Sequence, residues 1–281
     1  MQIINGKEVS QIIKDNIKDE VSLFKKENKR IPKLVVIISG NNPASHTYVK
    51  NKQKACEYIG FESEIINLDE NISELVLLHK ITQLNEDKTV DGILVQLPLP
   101  KHINEEKVLE AIAPEKDVDG FHPENVAKLF LGEDCLTPCT PTGIFYLLNH
   151  YGYDVQGKHI VILGRSHIVG KPAALLALQH NATVTICHSK TKNLKEICNS
   201  ADVLICAIGK AKFITKDYIK EDCIVIDVGI NRDENNKLCG DVDFDDVKDK
   251  VKAITPVPGG VGPMTIAMLM ENTLKAYKNR N

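Results

Sequence analysis

Short apolar runs alternate with longer amphipathic segments along the whole chain. Each run is rich in valine and isoleucine, which is typical of strands buried in a parallel sheet. The pattern therefore predicts an α/β fold, with strands at residues 33–40, 63–68 and 92–100 in the first half and at 159–164, 183–187, 203–209 and 224–229 in the second.

The segments between these runs have helical periodicity. A helix is predicted from about Pro43 to Ile59, because Asn42 and Pro43 supply a cap and a first-turn proline. Ser73 opens a second helix that extends to about Asn85. In the second half the strands recur at roughly twenty residues, the spacing of a strand plus a crossover helix in a doubly wound sheet. Ligands of such sheets bind at the carboxyl ends of the strands, so the loops that follow them are expected to carry the chemistry.

Composition narrows the class of protein. A length of 281 residues favours two domains, and 43% hydrophobic with 26% charged residues is typical of a globular chain. The formal net charge of −3 gives no basic field for nucleic acid. The eight cysteines form no C-x-x-C pair, which argues against a zinc site or a disulfide framework, so no metal is expected.

Two long stretches, 135–153 and 253–270, contain no charged side chain. Their prolines, glycines and threonines predict loops rather than membrane spans. The amino-terminal segment lacks the basic, apolar and small-residue regions of a signal peptide. We therefore expect a cytoplasmic protein that does not enter a membrane.

A candidate nucleotide loop follows the strand HIVIL, where the chain continues as GRSHIVGKP into a helical segment. A glycine turn before a helix presents free backbone N–H groups to phosphate, although Ser166 and Val169 occupy two of the usual glycine positions and an ordinary turn stays possible. The next strand ends in CHSKT, without the acidic residue that holds the ribose of NAD. Arg165, Ser189 and Lys190 suit a 2′-phosphate and favour NADP, unless they are only solvated surface groups.

A second candidate site lies in the first half. Tyr48 and Lys52 are four residues apart, so they project from one face of the predicted helix. A lysine beside a phenol in a partly dry pocket can act as an acid or base near neutral pH, but spacing alone favours a wet helix surface for Lys52. Gln96 interrupts an apolar strand end, and its amide needs a partner, either the lysine, a ligand or a loop carbonyl.

Two further segments are rich in turn-forming residues. In KDVDGFHP, Asp117 and Asp119 precede Gly120, which is compatible with a plain turn or with ligand binding. Residues 114–143 as a whole are expected to form a domain boundary or a substrate loop. TPVPGGVGPMT, before the final helix TIAMLMENTLKAYK, is typical of a stiff loop that passes close to a flat ligand, or of a simple connection.

Taken together, TYVKNKQK, GILVQLPLP, KDVDGF, GRSHIVGKP and PGGVGPMT occur in an order that resembles the bacterial form of the bifunctional methylenetetrahydrofolate dehydrogenase/cyclohydrolase family. The resemblance implies oxidation of 5,10-methylenetetrahydrofolate with NADP and hydrolysis of the methenyl product to 10-formyltetrahydrofolate. It implies a place in one-carbon metabolism, which serves purine, methionine and histidine biosynthesis, and a homodimer. It also implies a folate-binding catalytic domain at 1–120 and a Rossmann-like NADP domain at 121–281, with an active-site cleft between them and helix 265–281 packed on the first domain.

The resemblance assigns roles to individual residues. Lys52 would be the catalytic lysine, Tyr48 would lie over the folate, Gln96 would align the lysine and Asp119 would bind the pterin. A neutral Lys52 could take a proton as water adds to the substrate cation, whose charge would help to keep the amine neutral. The remaining substrate-binding positions would be Leu97, Pro258, Gly259 and Gly260, and the cofactor positions would be Gly164, Arg165, Ser166, Ser189 and Ile230.

Two other functions fit parts of the sequence. One is a two-domain NADP dehydrogenase for a small polar acid, of the shikimate or amino-acid type, which would have no affinity for folate. The other is an NADP-binding module without catalysis, in which Lys52 lies on the surface. Turnover assays distinguish the three.

Overall fold

The computed structural model describes residues 1–280, which fold into two compact units. The six-stranded unit comprises Met1–Ser10 and Thr140–Thr265, and the three-stranded unit comprises Gln11–Cys139 and the residues from Ile266 onward. The division of function between residues 1–120 and 121–281 stays a prediction.

The three-stranded unit is built on a parallel sheet in which the strand Lys33–Ser39 lies between the strands Glu62–Leu68 and Gly92–Val95, with Lys33 opposite Glu62 and Leu34 opposite Gly92. Its core lies between the sheet and the helices beside it, where Val35, Ile37 and Leu77 are fully buried. In chain order its elements are α1 (Gly6–Lys26, which begins in the other unit), β2 (Lys33–Ser39), α2 (Pro43–Ile59), β3 (Glu62–Leu68), α3 (Glu74–Glu86), β4 (Gly92–Val95), α4 (Glu105–Glu110) and α5 (Pro123–Leu131).

The six-stranded unit contains a wholly parallel sheet whose strands lie in the order 2–3, 253–254, 224–227, 203–206, 159–163 and 183–187, together with an antiparallel pair, 231–232 and 238–239. This confirms the predicted Rossmann-like doubly wound α/β sheet. Its elements are β1 (Gln2–Ile3), α6 (Cys139–His150), β5 (His159–Leu163), α7 (Gly170–Gln179), β6 (Thr183–Cys187), α8 (Leu194–Asn199), β7 (Val203–Cys206), β8 (Ile224–Asp227), β9 (Asn231–Arg232), β10 (Leu238–Cys239), α9 (Phe244–Val247), β11 (Ala253–Ile254) and α10 (Val261–Asn279, which ends in the other unit).

All seven predicted strands occur, and several end earlier than the apolar runs do. β4 stops at Val95 instead of continuing to Pro100. Pro98 and Pro100 have no N–H to donate to a neighbouring strand, so the ladder cannot continue through them. The residues after Val95 therefore form a loop.

Two expectations of loop structure were wrong. The uncharged stretch 135–153 contains α6, and the stretch 253–270 contains the first half of α10. Pro141 and Pro263 each lie in the first turn of their helix, where a missing N–H removes no helical hydrogen bond. These prolines therefore begin helices rather than break them, and residues 114–143 contain α5 as well as loops.

The last turns of α10 are anchored within the three-stranded unit. The Tyr277 hydroxyl donates to the Arg30 carbonyl at 2.5 Å, and the Arg30 side chain lies over the Tyr277 ring. The fully buried carboxylate of Asp91 pairs with both Arg30 and Arg280. No helix among residues 1–280 combines the length and the apolar character that crossing a membrane requires.

Candidate active site

Helix α2 carries the predicted lysine and tyrosine of the three-stranded unit. The face that bears Val49 and Cys56 packs into the core, and it carries the Lys52 stem inward, so that only 9% of Lys52 is exposed. The ammonium group donates to Gln96 Oε1 at 3.0 Å. Tyr48, one turn earlier, is 37% exposed and leaves the ring accessible to a ligand. Lys52 is therefore not part of a solvated helix surface.

Gln96 is held in place by its own neighbours. Its backbone N–H donates to the Ile37 carbonyl at 2.8 Å, directly after β4 ends. Its side-chain Nε2 donates to the Leu97 carbonyl at 2.8 Å, which leaves Oε1 to accept from Lys52. The amide thus bonds both the lysine amine and a loop carbonyl, two of the three partners that the sequence left open, and it fixes the position of the amine.

Lys116 and Asp117 hold the loop that follows α4 and carries Asp119. Lys116 is almost completely buried and donates to the carbonyls of Leu84, Asn85 and Asp87 at the carboxyl end of α3. The Asp117 carboxylate accepts from the His122 N–H at 2.8 Å and from Asn125 Nδ2 at 2.9 Å. Asp117 is therefore the turn-forming carboxylate of this segment.

Asp119 has a different environment from Asp117. Within residues 1–280 the hydrogen bonds of its carboxylate are limited to the Cys139 thiol, at 3.9 Å from Oδ1. Burial raises the pKa of Asp119 to about 6, although the charge of Lys52 opposes the rise. Burial likewise lowers the pKa of Lys52, and the negative charge of Asp119 opposes that fall. The site thus holds an acid and a base whose pKa values both move toward neutrality, which is typical of a catalytic centre.

Cys139 and Asn272 complete this site and were not predicted. The Cys139 thiol donates to the Val118 carbonyl at 3.3 Å, and burial raises its pKa well above the usual value. Asn272 on α10 donates to the carbonyls of Val118 and Thr137 at 2.9 and 2.8 Å. Both residues support the backbone that carries Asp119. No local pattern indicates them, because their partners are 20 to 154 residues away.

The predicted glycine-rich loop lies in the six-stranded unit. The Gly259 carbonyl accepts from the Lys7 N–H at 2.9 Å, and a Cβ on Gly260 would lie 2.5 Å from the Pro256 carbonyl oxygen. Pro258 itself is exposed. The loop is therefore tightly folded against the start of α1, and only glycine fits at position 260.

The candidate nucleotide loop joins β5 to α7 in the same unit. A Cβ on Gly164 would lie 2.2 Å from the Ala207 carbonyl oxygen, and one on Gly170 would lie 2.2 Å from the Gly164 carbonyl oxygen. Ser166 Oγ accepts from the N–H groups of Val169 and Gly170. Throughout the described part of the chain, no hydrogen bond is donated by the N–H groups of residues 165–168. A compact turn with free N–H groups before a helix fits the pyrophosphate of a dinucleotide.

The other predicted cofactor residues lie at loops along the carboxyl edge of the same sheet. Arg165 and Ser189 are exposed after β5 and β6, and Ile230 is 50% exposed after β8. Across residues 1–280 no hydrogen bond or ion pair involves the side chain of any of the three, so all are available to a ligand. No cluster of histidine, cysteine or acidic side chains suited to a metal ion occurs among residues 1–280.

The sequence of the chain is similar to known proteins along its whole length. Residues 4–119 match the family described as tetrahydrofolate dehydrogenase/cyclohydrolase, catalytic domain, and residues 138–281 match its NAD(P)-binding domain. The bifunctional protein FolD of Listeria innocua is 57% identical over 277 residues, which cover 99% of this chain and 97% of that protein.

Two solved structures are similar over nearly the whole chain. The bifunctional FolD methylenetetrahydrofolate dehydrogenase/cyclohydrolase of Campylobacter jejuni is 51% identical, with a TM-score of 0.98 and full coverage of both chains. The corresponding enzyme of Trypanosoma brucei, in complex with NADP and an inhibitor, is 37% identical, with a TM-score of 0.94 and coverage of 99% of this chain and 97% of that chain.

Proposed function

Because the chain belongs to the tetrahydrofolate dehydrogenase/cyclohydrolase family, we propose that Lys52, Gln96 and Asp119 carry out its chemistry together with Tyr48. The chain is an NADP-dependent methylenetetrahydrofolate dehydrogenase and methenyltetrahydrofolate cyclohydrolase. It oxidises 5,10-methylenetetrahydrofolate to the 5,10-methenyl cation and hydrolyses that cation to 10-formyltetrahydrofolate. This assignment removes the two alternatives, a dehydrogenase for small acids and a module without catalysis.

The pair Lys52–Gln96 supports the role of the lysine. The amine is buried, its pKa is lowered by desolvation, and Gln96 Oε1 holds it at 3.0 Å. In its neutral form Lys52 takes a proton from the water that adds to the substrate's amidinium carbon. The C–O bond forms as the carbon's positive charge is neutralised. The bond from this carbon to N5 then breaks, N5 takes the electron pair and a proton, and the formyl group stays on N10. The substrate cation itself favours the neutral amine, because like charges nearby lower the pKa of a lysine.

Asp119 is proposed to hold the pterin ring. Among residues 1–280 its carboxylate has no donor stronger than the Cys139 thiol, so both oxygens can accept from a ligand. The amino group and ring N–H of a pyrimidinone offer two parallel donors, which match a carboxylate in a bidentate pair. Tyr48 would lie over the folate, and Leu97, Pro258, Gly259 and Gly260 would line its site.

The residues of the nucleotide loop fit NADP. The glycine turn at 164 and the free N–H groups of 165–168 would hold the pyrophosphate, and Ser166 stabilises the turn. Arg165 and Ser189 would hold the 2′-phosphate, since CHSKT supplies no acidic ribose ligand, and Ile230 would contact the cofactor. When bound, NADP supplies the hydride acceptor. For this step the protein has mainly to orient the folate and exclude water.

The experiment that tests this function is incubation of the purified protein with 5,10-methylenetetrahydrofolate and NADP. We expect NADPH and the methenyl product to appear, followed by decay of the methenyl absorbance. A parallel reaction with NAD measures how strongly the enzyme selects the cofactor that carries the 2′-phosphate. Absence of NADPH formation with a protein that is folded would contradict the proposal.

We further propose that the enzyme acts as a homodimer in the cytoplasm, with folate binding assigned to residues 1–120 and NADP binding to 121–281. All eight cysteines are free thiols and seven are buried, as suits a reducing compartment. Light scattering coupled to size-exclusion chromatography tests the dimer, for which we expect twice the chain mass of 31.2 kDa.

A further inference from the structure

Two carboxylates lie buried in the six-stranded unit and have no part in the chemistry described above. Asp227, the last residue of β8, is 3% exposed, and Asp241, just after β10, is fully buried. Across residues 1–280 neither takes part in an ion pair with lysine, arginine or histidine. Burying a carboxylate is costly unless several hydrogen-bond donors replace water. The residues that donate to each carboxylate therefore identify the segments that it holds in place.

Asp241 holds the loop that follows β7. Its carboxylate accepts from three successive backbone N–H groups, those of Ile208 at 2.7 Å, Gly209 at 3.1 Å and Lys210 at 2.8 Å. It also accepts from the side-chain Nδ2 of Asn231 at 2.9 Å. A single carboxylate therefore joins the loops that follow two neighbouring strands, β7 and β8.

Asp227 holds the residues on either side of that junction. Its Oδ1 accepts from the N–H groups of Gly229 at 3.0 Å and Asp241 at 2.9 Å, and its Oδ2 accepts from Val242 at 2.9 Å. A Cβ on Gly240 would lie 1.8 Å from Asp227 Oδ2, so the backbone closes directly onto the carboxylate. Burial raises the pKa of Asp227 to about 7, and the charge of Asp241 adds to the rise.

The loop that follows β7 borders the nucleotide turn, and the loop that follows β8 lies next to it. β5 lies beside β7 and β7 beside β8, so their carboxyl ends share one edge of the sheet. Ala207, directly before the loop at 208–210, approaches Gly164 so closely that its oxygen would lie 2.2 Å from a Cβ there. Ile230 lies between Gly229 and Asn231, the donors to Asp227 and Asp241.

We propose that Asp241, supported by Asp227, is a positioning residue that fixes loops 208–210 and 229–231 in the conformation that binds NADP. This inference rests on the proposed function, since it assigns these loops to the cofactor of that enzyme. Five hydrogen bonds hold the two loops directly, and two more from Asp227 hold the backbone of Asp241 and Val242. The loops are therefore ordered before the cofactor arrives, and binding does not have to supply the free energy of ordering them.

The decisive variant is Asp241→Asn, which keeps the shape and replaces one acceptor oxygen by an NH₂ group that faces backbone donors. We expect the dissociation constant for NADP, measured by calorimetry without folate, to rise roughly tenfold or more, the factor that one lost charge-assisted bond gives. The amides of 208–210 should exchange hydrogen faster in the protein without cofactor. Hydrolysis of supplied methenyltetrahydrofolate, which needs no hydride acceptor, should stay within about twofold of wild type.

Two further variants separate positioning from stability. Asn231→Ala removes one donor to Asp241 and should raise the NADP dissociation constant by a smaller factor in a protein that folds. Asp202→Asn is the matched control, because Asp202 accepts from the His159 N–H at 2.8 Å and from Lys220 at the opposite edge of the same sheet. It should leave NADP affinity unchanged.

An unchanged NADP dissociation constant in folded Asp241→Asn overturns the inference. A parallel fall of both activities and of the unfolding temperature also overturns it, because a merely structural role would give that result. If Asp241→Asn does not fold, unchanged affinity in Asn231→Ala overturns it instead. Failure of the proposed function differs from all of these, since wild-type protein would then lack turnover while its NADP affinity could still be compared with that of the variants.

Discussion

Replacing Lys52 by methionine separates the two activities of the enzyme most sharply. Methionine keeps a stem of similar length in the buried position beside Gln96 and removes only the amine. Water addition to the methenyl cation requires that a proton be removed, whereas hydride transfer chiefly requires that the reactants be oriented. Lys52→Met should therefore affect hydrolysis far more than oxidation.

The size of the effect follows from the state of the lysine. A lysine with the ordinary pKa of about 10.4 is neutral in roughly one molecule in a thousand near pH 7.4, and each unit by which burial lowers the pKa raises that fraction about tenfold. General base catalysis contributes about 10²- to 10⁴-fold, so cyclohydrolase activity should fall by that factor. The rise of wild-type cyclohydrolase rate with pH, as Lys52 loses its proton, should be absent from the variant.

The loss should be chemical rather than structural. Lys52→Met leaves Gln96 Oε1 without its donor, which costs about 1 to 3 kcal/mol, but it also removes a buried amine. We expect the cost of the unpaired amide oxygen and the gain from removing a buried amine to offset each other largely, so that the unfolding temperature changes by about 4 °C at most. Lys54→Met is the matched control, because Lys54 lies on the same helix and is exposed.

The assay follows the methenyl absorbance with methylenetetrahydrofolate and NADP as reactants. In Lys52→Met the methenyl intermediate should accumulate, whereas in Lys54→Met it should decay as in wild type. A Lys52→Met enzyme that hydrolyses methenyltetrahydrofolate at the wild-type rate would show that Lys52 is not the base. Equal loss of both activities would show that it serves folate binding instead.

Three further predictions concern the cofactor, the folate and the fold. Arg165→Ala should weaken the binding of NADP by about 1.5 to 3 kcal/mol, measured from its dissociation constant, and leave the binding of NAD nearly unchanged. Equal weakening of both cofactors would contradict a contact between Arg165 and the 2′-phosphate. Asp119 binds folate as a carboxylate, so folate affinity in titrations should fall as pH drops through about 6, and Asp119→Ala should lose both activities and this pH dependence. Retention of wild-type folate affinity in Asp119→Ala would leave Asp119 only a turn residue. Asp91→Ala should lower the free energy of unfolding in urea by about 3 kcal/mol, because it leaves Arg30 and Arg280 without their buried partner, and an unchanged midpoint would refute this.

The sequence by itself determined the class of fold and the seven strands of four or more residues, but not the two-residue strands β1, β9, β10 and β11. Buried strands and amphipathic helices impose periodicities on residues two to four positions apart, and such patterns can be seen without the partner elements. The strand at 183–187 and the helix at 43–59 were predicted with their observed bounds. Helix α1 was not predicted, and the uncharged segments were assigned to loops, because a proline in a first turn looks the same in sequence as one that ends a helix.

Only the tertiary structure decided which side chains meet. Lys52 and Gln96 are 44 residues apart, Asp119 and Cys139 are 20 apart, and Ile208 and Asp241 are 33 apart. Contacts over such separations depend on how the sheet brings its loops to one edge and on how the core buries a stem such as that of Lys52. Spacing along the chain could only place Lys52 and Tyr48 on one helix face, where a wet surface and a catalytic site look alike. Burial distinguishes them, because the pKa of an amine responds to the water it loses, and that loss is a property of the packed fold.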